Sequence, residues 1–401
     1  MIPQIKIEDY DYCLPDARIA KYPLAERDSS NLLVYKDGKC SDHIFNELPD
    51  LLPEGALMVF NNTKVVPARL FFLRSSGAHI EIFCLEPHDP PEYNVSFART
   101  SSCSWKCVIG NSKRLKEGEV LVLDSGSDEL NGIDPKAILI SRDGQTGIIE
   151  FTWNGGIPFS QLLEICGRIP IPPYLNRETE SIDLERYQTT YALIRGSVAA
   201  PTAGLHFTPA TLQAIKNRGI QTDTVCLHVG AGTFLPVKSS EISGHTMHRE
   251  PFSVSRELIE RLAARETPLV AVGTTSVRTL ESLYYAGVSC IRNGRPEEVG
   301  QWDPYNGPQD ISTQESLSAL ADYLDRNAFE NLRLGTRIII VPGFKFRLVD
   351  ALVTNFHQPQ STLLLLISAF VNGDWHTIYD HALNGGYRFL SYGDSSLLFR
   401  R

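Results

Sequence analysis

The stretch ARLFFLRSSGAHIEIFCLE, Ala68–Glu86, decides the architecture of this 401-residue chain. Two β-rich runs flank a turn-forming Ser-Ser-Gly, and five more short runs follow at close spacing: YNVSFART, WKCVIG, EVLVLD, KAILISRD and TGIIEFTW. Short strands separated by Gly, Asp, Asn, Ser or Pro clusters predict a small antiparallel barrel or sandwich, placed here at 67–153.

Working outward, the flanks read differently. Before Pro67 come a strand at Asn31–Tyr35, a helix-like stretch around Ile44–Leu52 and a strand at Ala56–Asn62. After Trp153, the prolines of CGRIPIPPYL mark a linker. Helices are then predicted at Pro209–Asn217, Arg256–Arg265, Ser276–Ala286, Ser312–Asn327 and Trp375–Asn384. Strands fall at Gln221–Leu227, Pro268–Val272, Thr336–Val341 and Ala351–Thr354, and Asn293–Asp310 reads as a surface loop. This alternation predicts an α/β domain, 1–66 and 154–401, with a mostly parallel sheet flanked by helices and interrupted by the inserted β-barrel.

Composition bounds the function class. Hydrophobic content of 42% and charged content of 21% are globular values. The N-terminal MIPQIKIEDYDYCLPD carries acids where a signal peptide needs an apolar core, and the apolar run Leu363–Val371 is too short to span a membrane. A cytoplasmic protein is expected. The eight cysteines form no CxxC, which points to reduced thiols rather than a disulfide or zinc framework. A net charge of −9 argues against non-specific nucleic-acid binding but leaves room for a local basic surface.

Candidate chemistry concentrates in loops. SVAAPTAGLHFT (Ser197–Thr208) sets His206 beside Thr202 and Gly204, and LHVGAGTF (Leu227–Phe234) sets His228 beside Gly230, Gly232 and Thr233. Small residues admit close backbone approach, and histidine exchanges protons near neutrality. VAVGTTSVRTLES runs an apolar strand into Thr274 and Thr275 at a helix start, where free N–H groups suit a carboxylate or phosphate, with Arg278 one turn further in. The glycines of LHVGAGTF make half a dinucleotide fingerprint, but position 235 is Leu and Pro236 follows. His245, His248 and His357 have no metal-ligand spacing, and no metal is expected. From the residues alone the reaction stays open.

Together these motifs resemble the S-adenosylmethionine:tRNA ribosyltransferase-isomerase family of queuosine biosynthesis. The resemblance rests on DYDYCLPDARIAKYPLAERDSSNLLVY, FNNTKVVPARL, RYQTTYA, the loops above, HTMHRE, TNFHQPQST and YRFLSYGDSSLLF, in the family's order. It implies that S-adenosylmethionine is consumed as a cosubstrate, giving its ribosyl group to 7-aminomethyl-7-deazaguanine at the wobble position of a tRNA. The products would be epoxyqueuosine-tRNA, adenine and methionine, with no bound cofactor and a monomeric enzyme. On that basis His206 or His228 is expected to remove an acidified ribose C5′ hydrogen, and His357, His248 or Asp394 to protonate the leaving adenine. Arg278, Thr274 and Thr275 would hold the methionine carboxylate. Phe207 or Tyr392 would stack a base, and Lys64, Arg69 and Arg186 would grip the RNA. The chain looks longer than the family pattern near 290–333. Two rivals are set aside: a methyltransferase lacks its usual glycine-rich loop here, and a non-catalytic RNA-binding protein leaves the histidine loops without purpose.

Overall fold

The structure, a computed structural model, describes residues 2–400 apart from 112–114, 125–129, 131, 145, 231–236, 238 and 307–309. In chain order, the first strands are β1 (Asn31–Lys36), β2 (Lys39–Ile44), β3 (Leu57–Asn61) and β4 (Thr63–Val65). β5 (Arg69–Leu73), β6 (His79–Asp89), β7 (Ser102–Ile109), β8 (Val120–Leu123), β9 (Lys136–Asp143) and β10 (Thr146–Thr152) follow. The rest are β11 (Ile194–Ser197), β12 (Gln221–Leu227), β13 (Glu250–Ser255), β14 (Leu269–Val272), β15 (Asn331–Thr336), β16 (Ala351–Asn355) and β17 (Ser395–Phe399).

The inserted strands close into an antiparallel barrel in the order β10-β7-β6-β5-β8-β9. Strict alternation drives it: in β7 the buried residues are Cys103, Trp105, Cys107 and Ile109, and their neighbours face outward. The helix Phe159–Cys166 lays Phe159, Leu162 and Leu163 against this core. The predicted β run YNVSFART is instead a helix, Tyr93–Ala98, with Phe97 packed on Trp105.

The main sheet has the order β15-β13-β12-β3-β14-β16-β17-β1-β2. It is mixed, which corrects the expectation of a mostly parallel sheet. β12, β3, β14 and β16 run parallel, as do β17 and β1. The pairings β15–β13, β13–β12, β16–β17 and β1–β2 are antiparallel. Each antiparallel pairing involves a strand whose sequence carries no strong β signal: KCSDHI, EPFSVS, NLRLGT or SSLLF. The strand expected at Thr336–Val341 ends where it was thought to begin.

Both faces of the sheet are buried. Leu57, Val59, Leu269 and Ala271 face one apolar cluster; Met58, Phe60, Val270 and Val272 face the other. Each such side chain contributes about 1.5–3 kcal/mol by leaving water. The helix Thr274–Asn293 runs between Gly273 at φ 85° and Gly294 at φ 76°. Gly287 lets the helix Thr313–Arg326 cross it closely, since a Cβ there would sit 2.2 Å from Ser316 O. The expected surface loop at 293–310 is largely exposed but anchored where described: Val299 bridges to Thr336, residues Asp303–Asn306 are helical, and Tyr305 packs on Phe344. No helix among the described residues is long and apolar enough to cross a membrane.

Candidate active site

Strand direction gathers the chemistry-bearing residues at one edge of the main sheet. The parallel strands β12, β3, β14 and β16 end there. β13 runs antiparallel to β12 and therefore begins there, at Glu250. Glu250 pairs with Thr336, so β15 ends at the same edge and delivers Ile338–Ile340 to it. Asn355 at the end of β16 pairs with Ser395, so the segment before β17 arrives there too. Open α/β sheets bind ligands in the crevice outside such carboxyl ends.

A cleft of about 1560 Å³, part of it open solvent, occupies that edge. Thr274, Thr275 and Arg278 line it from the start of the long helix; Ala199–Ala203 and Gly230 line a second wall, and Thr354–Thr362 a third. Tyr174 and Tyr187 add aromatic faces.

Arg278 is the most informative side chain. It is 5% exposed, donates from Nε to Ile338 O at 3.2 Å, and forms an ion pair through Nη1 with Glu250 Oε2. Its Nη2 is buried with no partner among the described residues, and the same holds for Thr275 Oγ1. A buried donor left unpaired costs about 1–3 kcal/mol. Two of them facing one cleft mark the position of an anionic or acceptor group supplied by a ligand.

His357 lines the cleft with Nε2 3.0 Å from Thr354 Oγ1. Its backbone is fixed from both sides, the N–H donating to Tyr379 Oη at 2.9 Å and the carbonyl accepting from Tyr12 Oη at 2.5 Å. Burial lowers its pKa to about 4. His245 and His248 lie at the rim, and burial lowers His245, with His248 adding repulsion.

The predicted residues divide between this cleft and other places. Thr202, Gly230, His248, Thr274, Thr275, Arg278 and His357 line it. His206 and Tyr392 line a separate small pocket together with Ser30, Arg27 and Arg186. There His206 Nδ1 lies 2.8 Å from Ser30 Oγ, and burial lowers its pKa to about 4 against the raising effects of the Asp394 carboxylate and, less, the Asn355 amide. The expectation that these histidines titrate near neutrality is thereby corrected. His228, stacked on Tyr93 at 4.8 Å, is also lowered to about 4 by burial, and lies off the cleft wall.

Several roles do not survive the geometry. Asp394 is fully buried and accepts from Asn31 and Arg388, a saturated structural carboxylate. Phe207 is 0% exposed between Phe45 and Phe60, and Tyr392 is buried with its hydroxyl on Asp183 at 2.7 Å; neither has a face for a base. The closeness at Gly204 is to Tyr191, whose Oη would lie 2.0 Å from a Cβ, not to a ligand. Arg69 pairs with Glu81 and Arg186 donates to the carbonyls of Leu24 and Ala25, whereas Lys64 is half-buried with no ion pair among the described residues. Gly232 and Thr233 lie outside the described residues. Among those described, no three His, Cys, Asp or Glu side chains cluster to hold a metal ion.

Sequence reasoning passed over Glu250, Asn355, Tyr174 and Tyr187. Glu250, Asn355 and Tyr187 sit inside quoted motifs, HTMHRE, TNFHQPQST and RYQTTYA, but no spacing rule links them to Arg278.

Comparison with known proteins adds the family. A model described as "Queuosine biosynthesis protein" matches residues 7–398. An S-adenosylmethionine:tRNA ribosyltransferase-isomerase of Anaeromyxobacter sp. is 37% identical over 406 residues, covering 99% of each chain. One from Xanthomonas oryzae is 38% identical over 403 residues, covering 99% of this chain and 98% of its own. A crystal structure of S-adenosylmethionine tRNA ribosyltransferase from Thermotoga maritima aligns with 98% of this chain and 100% of its own, at 29% identity and a TM-score of 0.46.

Proposed function

The chain belongs to the queuosine biosynthesis protein family, and from that premise we propose how its cleft serves the reaction. It is a transferase and isomerase that moves the ribosyl group of S-adenosylmethionine onto tRNA. In our reading the acceptor is the aminomethyl group of 7-aminomethyl-7-deazaguanine at the wobble position, and the products are epoxyqueuosine-tRNA, adenine and methionine. No cofactor is bound, and S-adenosylmethionine is spent as a cosubstrate.

The observation that carries this reading is the unpartnered Arg278 Nη2 beside the start of the Thr274–Asn293 helix. The methionine carboxylate is gripped there by Nη2, by Thr275 Oγ1 and by N–H groups of the first helical turn. The sulfonium acidifies the ribose C5′ hydrogens. His357, held neutral by burial, faces the cleft and accepts the C5′ proton. His248 at the rim donates to the departing adenine. His206, off the cleft wall in its own small pocket, does not touch substrate in this reading.

One experiment tests the reading: precursor-bearing tRNA is incubated with S-adenosylmethionine labelled separately in ribose and methyl. Ribose label on the tRNA with release of adenine supports it. Methyl label on the tRNA, or no transfer, refutes it. His357→Gln should lower kcat by about 10²- to 10⁴-fold with KM for S-adenosylmethionine little changed. An undiminished kcat removes His357 from the proton transfers.

A further inference from the structure

Arg278 does not enter the cleft alone. Its ion-pair partner Glu250 lines the same cleft, is 3% exposed, and has no other side-chain partner among the described residues. The contact uses Glu250 Oε2 and Arg278 Nη1, so Glu250 Oε1 takes no part in it and Arg278 Nη2 is without a partner among the described residues. A buried pair of this kind is costly to desolvate and adds little stability by itself. Its retention at a ligand-binding edge calls for a second use.

We propose that Glu250 and Arg278 together form a clamp for an α-amino-acid zwitterion, with Glu250 receiving the α-ammonium of S-adenosylmethionine. An α-amino acid presents an anion and a cation two bonds apart, in the reverse polarity to the Glu–Arg pair, so each end meets its opposite charge. The carboxylate lies against Nη2, Thr275 Oγ1 and the helix start; the ammonium lies against the free oxygen of Glu250. Binding converts the isolated ion pair into a closed four-charge array, which satisfies the orphaned donor and keeps the site net neutral. The clamp therefore selects for the intact methionine moiety. The cleft discriminates against adenosine thioethers that lack it, and against analogues missing either charge. This inference rests on S-adenosylmethionine being the ligand.

The test is calorimetric binding of three ligands to the whole protein: S-adenosylmethionine, its decarboxylated form and its deamino form. Wild type should prefer S-adenosylmethionine over the deamino form by about 10- to 100-fold, the range for losing one charge-assisted hydrogen bond. Glu250→Gln should erase that preference: it weakens S-adenosylmethionine and the decarboxylated form alike but leaves the deamino form as in wild type. An equal affinity of wild type for S-adenosylmethionine and the deamino form overturns the clamp without need of any variant. So does an equal loss for all three ligands in Glu250→Gln, which would mark a merely structural pair. Failure of wild type to bind S-adenosylmethionine at all sinks the underlying reading of the cleft, and the clamp with it.

Discussion

Acidification should destabilise this fold through histidines that were expected to work in catalysis. His206 and His357 are 4% and 9% exposed, and burial brings both pKa values to about 4 against 6.5 in an unfolded chain. Protonation is thus easier in the unfolded state. The stability they contribute is complete above pH 6.5 and is lost as pH falls through 6.5 toward 4. At about 1.36 kcal/mol per pKa unit, each contributes up to about 3 kcal/mol, of which about 2 kcal/mol disappears between pH 7 and pH 5. Urea denaturation at pH 7, 6 and 5 should show the wild type losing about 4 kcal/mol from this pair alone. His206→Gln and His357→Gln, whatever each costs at pH 7, should each flatten that slope by about 2 kcal/mol. If either variant keeps the wild-type slope, its histidine is not a buried neutral imidazole. The same values set an activity expectation: neither residue should produce a limb near pH 6.5 in the rate profile of the free enzyme.

Other perturbations test the scaffold and the cleft separately. Glu281, fully buried, accepts the N–H groups of Arg347, Leu348 and Val349 at 2.8–3.0 Å, so Glu281→Ala should cost about 3 kcal/mol in urea denaturation. Glu281→Gln, which keeps one acceptor oxygen, should cost clearly less; equal costs would refute the hydrogen-bond account. Gly273 adopts φ 85° and ψ 152° at the start of the long helix, with no atom closer than 3.6 Å to a would-be Cβ. Gly273→Ala should therefore lose about 1–3 kcal/mol through backbone strain alone, read as a lowered Tm. Thr275→Val removes a hydroxyl that makes no hydrogen bond among the described residues, so Tm should hold while KM for S-adenosylmethionine rises. An unchanged KM would take Thr275 out of the cleft's polar contacts.

How much of this was legible follows residue by residue. The inserted barrel showed itself because alternating apolar residues, as in Cys103–Ile109, are a local property of a strand with one dry face. The helix Pro209–Asn217 and the strand Gln221–Leu227 were readable for the same reason, with Thr208 capping the helix through its side chain. The loops worth searching were also visible, because clusters of Gly, Thr, Pro and His do not build cores. Sequence motifs taken together led to the family.

What the chain order could not show is which of those loops meet. KCSDHI pairs with its neighbour β1 through the Asp37-Gly38 turn, but EPFSVS, NLRLGT and SSLLF become strands only by pairing with partners far along the chain, so most of the antiparallel half of the sheet was invisible. That half decides the site: β13 must reverse direction for Glu250 to start at the edge where β14 ends and Arg278 follows. Burial made the other decision. His206 and Asp394 carry reactive groups in sequence, yet packing places both off the cleft wall and hydrogen bonds occupy the Asp394 oxygens, while the same tertiary structure leaves Arg278 Nη2 unpaired inside it among the described residues. Residue chemistry is local; direction and desolvation are long-range, and these belong to the fold.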